Sequence, residues 1–135
     1  MAADLGVQGL AIFERLELLG AHAITLRHSP DALLERTTSY WDSSPTRARC
    51  LVRPESTEQL RAVVRLCHAH DQPIVVQGGL TGIVEGAVST PGDVIISLER
   101  MNRIVAVDAV DRVAVVQGGV TLSALNEALA ARDLW

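Results

Sequence analysis

Pro73-Ile74-Val75-Val76-Gln77-Gly78-Gly79-Leu80-Thr81-Gly82-Ile83-Val84-Glu85-Gly86-Ala87 is the stretch around which the rest of the sequence is read. Its opening apolar run, Ile74 to Val76, predicts a buried strand. Glycines then stand at 78, 79, 82 and 86, with Thr81 among them. Such a density is unfavourable inside a helix or strand. It suits backbone that adopts positive φ or comes close to another group. Successive N–H groups after a strand can form an anion-binding concavity, which a diphosphate can reach when no side chain intervenes. Two readings stand side by side: a ligand loop, or an ordinary glycine-rich connection between strands. No Gly-Lys-Ser/Thr follows, so the stretch is not a Walker loop. The Gly-x-Gly-x-x-Gly spacing is absent and no amphipathic helix follows directly, so it is not the dinucleotide fingerprint either.

Upstream, Cys50-Leu51-Val52 predicts a short strand ended by Pro54. Ser56 and Gln59 form a capping box for a helix through about His70. Leu60, Val63, Val64 and Cys67 follow the i, i+3, i+4, i+7 rule and predict a buried stripe. Arg61, Arg65 and His68 fall on the wet side. His68 and His70 do not face one another at i, i+2 and read as residues of the C-terminal turn. Strand, helix and strand together favour a parallel pair, which puts the glycine-rich loop at a strand carboxyl end, where ligands bind in many α/β sheets.

Downstream, Pro91-Gly92-Asp93 is a turn and Val94 to Leu98 a strand, followed by a tight connection over 100–103. Ile104 to Asp108 and Val113 to Gln117 read as a hairpin joined by 109–112. Antiparallel pairing there argues for α+β. The fold expected is therefore N-terminal helices followed by a small mixed sheet with flanking helices. Gly118-Gly119 break the last strand, and Thr121 or a neighbour caps a final helix with Leu122, Leu125 and Leu129 on its apolar stripe. Nearer the N-terminus, residues 8–19 predict a first helix and Ser29-Pro30-Asp31 the start of a short second one. Residues 37–49, rich in Ser, Thr, Pro and Arg, read as loop or linker, with Tyr40 and Trp41 either facing a partner or, the more common fate, packed under the loop.

With 135 residues the chain is one domain by length. Aromatic residues are only 3%, so the core must come from Val, Leu, Ile and Ala. Net charge is −4 and every basic side chain is Arg. No basic stripe with interleaved aromatics exists, which argues against nucleic-acid binding. There is no basic n-region for a signal peptide and no run long enough for a membrane span. Two cysteines make neither a disulfide framework nor a metal pattern, and Cys67 reads as a small buried hydrophobe. A reduced cytoplasmic setting fits.

Three features from Cys50 to Trp135 carry a family resemblance. They are Arg53-Pro54 with Ser56-Thr57-Glu58-Gln59-Leu60, then Gln77-Gly78-Gly79-Leu80-Thr81-Gly82, then Ser97-Leu98-Glu99-Arg100-Met101-Asn102 with a hairpin ending in Gln117-Gly118-Gly119. The segment resembles the N-terminal part of the FAD-binding domain of the vanillyl-alcohol-oxidase/PCMH flavoproteins. Gln77, where the family commonly has Arg, and Met101-Asn102 are most similar to the D-2-hydroxyacid dehydrogenase branch (lactate, glycolate and 2-hydroxyglutarate enzymes). Leu80 departs from the usual Gly or Asn. Glu85 stands where the second Gly of a pair is usual, and a carboxylate there would repel a diphosphate unless it points away.

The resemblance implies residues 1–49 as an N-terminal extension and 50–135 as the incomplete first part of a PCMH-type FAD-binding domain. It implies that the amides of Gly78, Gly79, Leu80, Thr81 and Gly82 cradle the FAD diphosphate, with Thr81 donating and Gln77 hydrogen-bonding without charge. Ser97, Met101 and Asn102 match positions near the flavin. Core packing for Met101, a turn or cap for Asn102, and a plain strand end for Gly118 and Gly119 remain the alternatives. Some relatives attach flavin through a His in this loop; Thr81 holds that position here, so non-covalent binding is implied. The chemistry implied is oxidation of a D-2-hydroxy acid to a 2-oxo acid. No catalytic residue and no metal ligand is nominated, because those of the branch lie beyond Trp135. The chain is read as an N-terminal fragment or truncated product, whose FAD site a missing C-terminal part or a second chain would complete. The alternatives are an inactive fragment, an alditol oxidase or a cell-wall precursor reductase.

Overall fold

The computed structural model describes residues 12, 14–18, 25–27, 33–34 and 36–134. Among these residues there are six strands: β1 (Thr25–Arg27), β2 (Cys50–Arg53), β3 (Ile74–Gln77), β4 (Val94–Ser97), β5 (Ile104–Asp108) and β6 (Val113–Val116). Two helices are described from end to end, α1 (Thr57–Ala69) and α2 (Leu122–Ala130). Residues 12, 14–18, 33 and 34 are also helical; the remainder of the two N-terminal helices expected there lies outside the described residues.

β1 to β4 form one sheet in the order β1-β2-β4-β3. β1 runs antiparallel to β2, while β2 and β3 both run parallel to β4. The parallel relation expected of β2 and β3 is present, with β4 inserted between them. β5 and β6 form a separate antiparallel hairpin. Mixed sheet, hairpin and helices make the α+β architecture expected.

β4 is central, and Val94, Ile95 and Ile96 are all 0% exposed. The alternation of side chains along a strand sorts them to two faces. Val94 and Ile96 join Cys50 and Val52 of β2, Val63 and Cys67 of α1, and Ile12 and Leu16 in one cluster. Ile95 joins Leu51, Leu33 and Ala48 in the other. The sheet is thus covered on both sides at its centre, as parallel strands require.

α1 begins as its capping residues dictate. Ser56 Oγ accepts from Gln59 N at 3.3 Å. Gln59 Oε1 accepts in return from Glu55 N at 2.7 Å, one residue ahead of the usual capping-box partner. Burial pushes the Cys50 thiol up to about 12, helped by Cys67 nearby. The Cys67 thiol is raised by burial too. Both are protonated, inert core groups.

Several expectations need correction. Ile74 to Val76 is not a buried strand: Ile74 and Val76 are exposed and Val75 half-buried, because β4 takes the central place and leaves β3 at the edge. Val64 is exposed on α1, while Leu66 packs against the core. α2 starts at Thr121, whose Oγ1 accepts from Ala124 N at 3.2 Å, yet none of its residues is buried and Leu122 stands exposed. Tyr40 and Trp41 are exposed and stack edge to face with ring centroids 4.9 Å apart, so they do not pack under a loop.

Candidate cofactor site

The carboxyl ends of β3 and β4 meet where Gln77 registers with Ser97. Both side chains are fully buried. A buried amide and hydroxyl need partners, and one guanidinium supplies them. Arg36 Nε donates to Gln77 Oε1 at 2.6 Å, and the two terminal nitrogens donate to Ser97 Oγ at 3.0 Å and Glu99 Oε2 at 2.8 Å. Gln77 Nε2 donates onward to the Ala87 carbonyl at 2.9 Å. The amide therefore ties the first residue of the glycine-rich loop to its far end. Glu99 Oε1 pairs with Arg53 Nε at 2.7 Å, and Ser97 Oγ donates to Glu99 Oε2 at 3.1 Å. Partial burial pushes the Glu99 carboxyl up, but the Arg36 hydrogen bond, the Arg53 and Arg36 charges and Ser97 outweigh it and leave it below its ordinary value.

The loop itself departs from one expectation. No glycine in it has positive φ. Leu80 (φ 56) and Glu85 (φ 57) occupy the left-handed region instead. These are the two positions where the family resemblance leads one to expect Gly or Asn. The loop thus keeps a glycine-type path with side chains in it, at a cost of about 1–2 kcal/mol for each such residue. The glycines serve the other purpose foreseen for them, which is open space. A Cβ at Gly78, Gly82 or Gly86 would meet nothing within 4 Å, and one at Gly79 would meet only Thr81 Cγ2 at 3.9 Å. Gly78, Gly79, Thr81 and Gly82 are exposed and Leu80 is half-buried.

The remaining candidates gather around the turn after β4. Met101 N donates to the Leu98 carbonyl at 2.8 Å, closing that turn, and Met101 is buried. Gly119 N donates to the Met101 carbonyl at 2.8 Å. A Cβ at Gly119 would lie 1.9 Å from the Leu98 carbonyl oxygen, so only glycine fits. A Cβ at Gly118 would meet only the end of the Leu98 side chain, Cδ1 at 3.0 Å, which can move aside. Asn102 is exposed in a shallow hollow with Glu55, Arg100 and Arg103. Gln77 and Ser97 thus form one group with the loop, and Met101, Asn102, Gly118 and Gly119 form a second. Leu98 N, donating to the Gln77 carbonyl at 3.0 Å, joins the two.

Sequence reasoning missed Arg36 and the pairing of Glu99 with two arginines. Arg36 lies 41 residues from Gln77 and 61 from Ser97, so no local spacing connects them. Trp41 was noticed, but not that its Nε1 donates to the Ile83 carbonyl at 3.3 Å, on the glycine-rich loop. Among the described residues no group of three or more His, Cys, Asp or Glu side chains is placed to hold a metal. Among them, too, no helix is long and apolar enough to cross a membrane.

Comparison with known proteins gives the family. Residues 48–135 match the family described as FAD binding domain. A D-2-hydroxyglutarate dehydrogenase of Xanthomonas citri pv. viticola is 38% identical over 91 residues, covering 67% of this chain and 19% of that protein. A D-lactate dehydrogenase of Anaerostipes hadrus is 44% identical over 81 residues, covering 60% of this chain and 17% of that protein. The chain therefore spans less than a fifth of these relatives. The crystal structure of p-cresol methylhydroxylase with substrate bound superposes with a TM-score of 0.77 over 94% of this chain and 25% of that one, at 23% identity. That likeness establishes the fold. The open backbone at Gly78, Gly79 and Gly82 fits a nucleotide diphosphate, which needs amides free of side chains. Matched over more than half of its length, the chain belongs to the FAD-binding domain family, and FAD is its cofactor.

Proposed function

We propose that this chain is the diphosphate-holding part of a flavin-dependent oxidoreductase that converts a D-2-hydroxy acid to the 2-oxo acid. The observation that carries the proposal is the open glycine cradle at the end of β3, whose mouth is held by Gln77. The names of the relatives, D-2-hydroxyglutarate and D-lactate dehydrogenases, support the substrate class.

In this reading the amides of Gly78, Gly79, Leu80, Thr81 and Gly82 donate to the diphosphate, and the Thr81 hydroxyl donates to it as well. Ser97, Met101, Asn102, Gly118 and Gly119 border the flavin end. None of these residues offers a histidine for covalent attachment, so the cofactor is held non-covalently. When bound, the flavin supplies a hydride acceptor. The cofactor-binding unit begins at residue 50, with residues 1–49 as an N-terminal extension. The two reduced, buried thiols suit a cytoplasmic setting.

The test is an absorbance spectrum of the purified protein after incubation with FAD and desalting. Flavin bands are expected to remain, to be released on denaturation, and to disappear in Gly79→Asp, which places a carboxylate where the diphosphate would lie. Bands that survive denaturation would overturn non-covalent attachment. Equal retention by Gly79→Asp would overturn the assignment of the loop.

A further inference from the structure

Between residues 77 and 88 the only ionisable side chain is Glu85. The loop that would face a diphosphate therefore carries no positive charge of its own. A guanidinium from a distant segment is attached to it instead. Arg36 is largely buried, with its side chain 12% exposed. Its three nitrogens engage Gln77, Ser97 and Glu99 at 2.6, 3.0 and 2.8 Å. Arg36 and Arg53 share the Glu99 carboxylate.

The segment bearing Arg36 is itself held in shape. The Arg36 carbonyl accepts from Thr46 N at 2.8 Å, the Ser44 carbonyl accepts from Thr38 N at 2.8 Å, and Thr37 bridges Pro45. The same segment touches the loop at two further points. Trp41 Nε1 donates to the Ile83 carbonyl at 3.3 Å, and the buried hydroxyls of Thr46 and Ser89 lie 2.7 Å apart. Residues 36–46 therefore strap the glycine-rich loop near its start, middle and end.

We infer that Arg36 is a positioning residue of the cofactor site, fixing the loop entrance through Gln77 and supplying the positive charge that the loop lacks. This rests on the reading of the loop as the diphosphate cradle. Arg36 acts through Gln77; it orients the residue from which the cradle starts and biases the local field toward an anion.

The distinguishing test moves the charge across its own hydrogen bond. Dissociation constants for FAD are measured by flavin fluorescence at several salt concentrations, with melting temperatures alongside. The proteins are wild type, Arg36→Lys, Arg36→Gln and the exchange Arg36→Gln/Gln77→Arg. Arg36→Gln is expected to weaken binding about tenfold, as loss of a charge-assisted contact implies, and to flatten its salt dependence. Arg36→Lys, keeping charge without the planar fork, should fall between. The exchange should recover most of the affinity and the salt dependence, which a purely structural role would not produce.

Wild-type affinity in Arg36→Gln would overturn the inference while leaving the cofactor reading intact. So would an exchange variant that melts like wild type but binds no better than Arg36→Gln. If Arg36→Gln fails to fold, a folded Arg36→Lys decides: weakened binding with retained salt dependence supports the inference, and unchanged affinity overturns it. Absence of FAD binding by wild type would overturn the cofactor reading and this inference with it.

Discussion

β4 and β6 are both short runs rich in β-branched residues, Val-Ile-Ile-Ser against Val-Ala-Val-Val, and opposites in surroundings. β4 is buried throughout, with β2 and β3 on its flanks and apolar clusters on both faces. β6 has one neighbour, β5, and three of its four residues are exposed. Val105, Val113, Val115 and Val116 are left facing outward, and α2 buries none of its residues. A β-branched run therefore announces a strand and leaves its burial open. Burial is decided by what the topology lays over it.

The largest expected effect tests that contrast directly. Ile96→Ala removes a fully buried side chain and should cost about 2–5 kcal/mol in urea unfolding. Val115→Ala, on the exposed hairpin, should stay within about 0.5 kcal/mol. Similar losses at both sites would break the comparison and mean that the hairpin is covered in solution.

The next effect concerns the loop leaving β3, the edge strand of the buried sheet. Leu80→Gly should relieve the left-handed backbone and raise stability by about 1 kcal/mol, seen as a higher urea midpoint at unchanged slope. A loss of stability would show that Leu80 earns its place by packing.

The smallest effect is electrostatic. The Glu99 carboxyl is held below its ordinary value of 4.5 in the folded chain, after the Arg36 and Arg53 interactions outweigh burial. Its contribution is present above that ordinary value and is lost as pH falls through the lower folded value. Because the side chain is 41% exposed, the amount should be no more than about 1 kcal/mol. Acid titration of stability should therefore be shallower below pH 4.5 in Glu99→Gln than in wild type. Parallel curves would mean that Arg36 and Arg53 hold the loop mouth without the carboxylate.

Much of the molecule was legible in the sequence because its cues are local. Ser56 with Gln59 and Thr121 with Ala124 are contacts across one helical turn, so the helix starts could be read directly. The hairpin is equally local: Asp108 Oδ1 accepts from Val110 N and Asp111 N at 2.9 and 3.0 Å, and Arg112 takes φ 53 to turn the chain. The glycines at 78, 79 and 82 identified the loop because missing side chains leave room whatever surrounds them.

What the tertiary structure alone decided depends on partners far apart in the chain. Strand order put β4 in the middle and β3 at the edge, reversing the burial expected for Ile74 and Val76. Tertiary packing also left the positive φ values on Leu80 and Glu85 and none on the glycines. Above all, it carried Arg36 onto Gln77, Ser97 and Glu99. Periodicity and spacing report which residues share a turn or a face. They are silent about a guanidinium that reaches its partners only after the sheet has brought two strand ends together, since that contact is created by packing and has no counterpart along the chain.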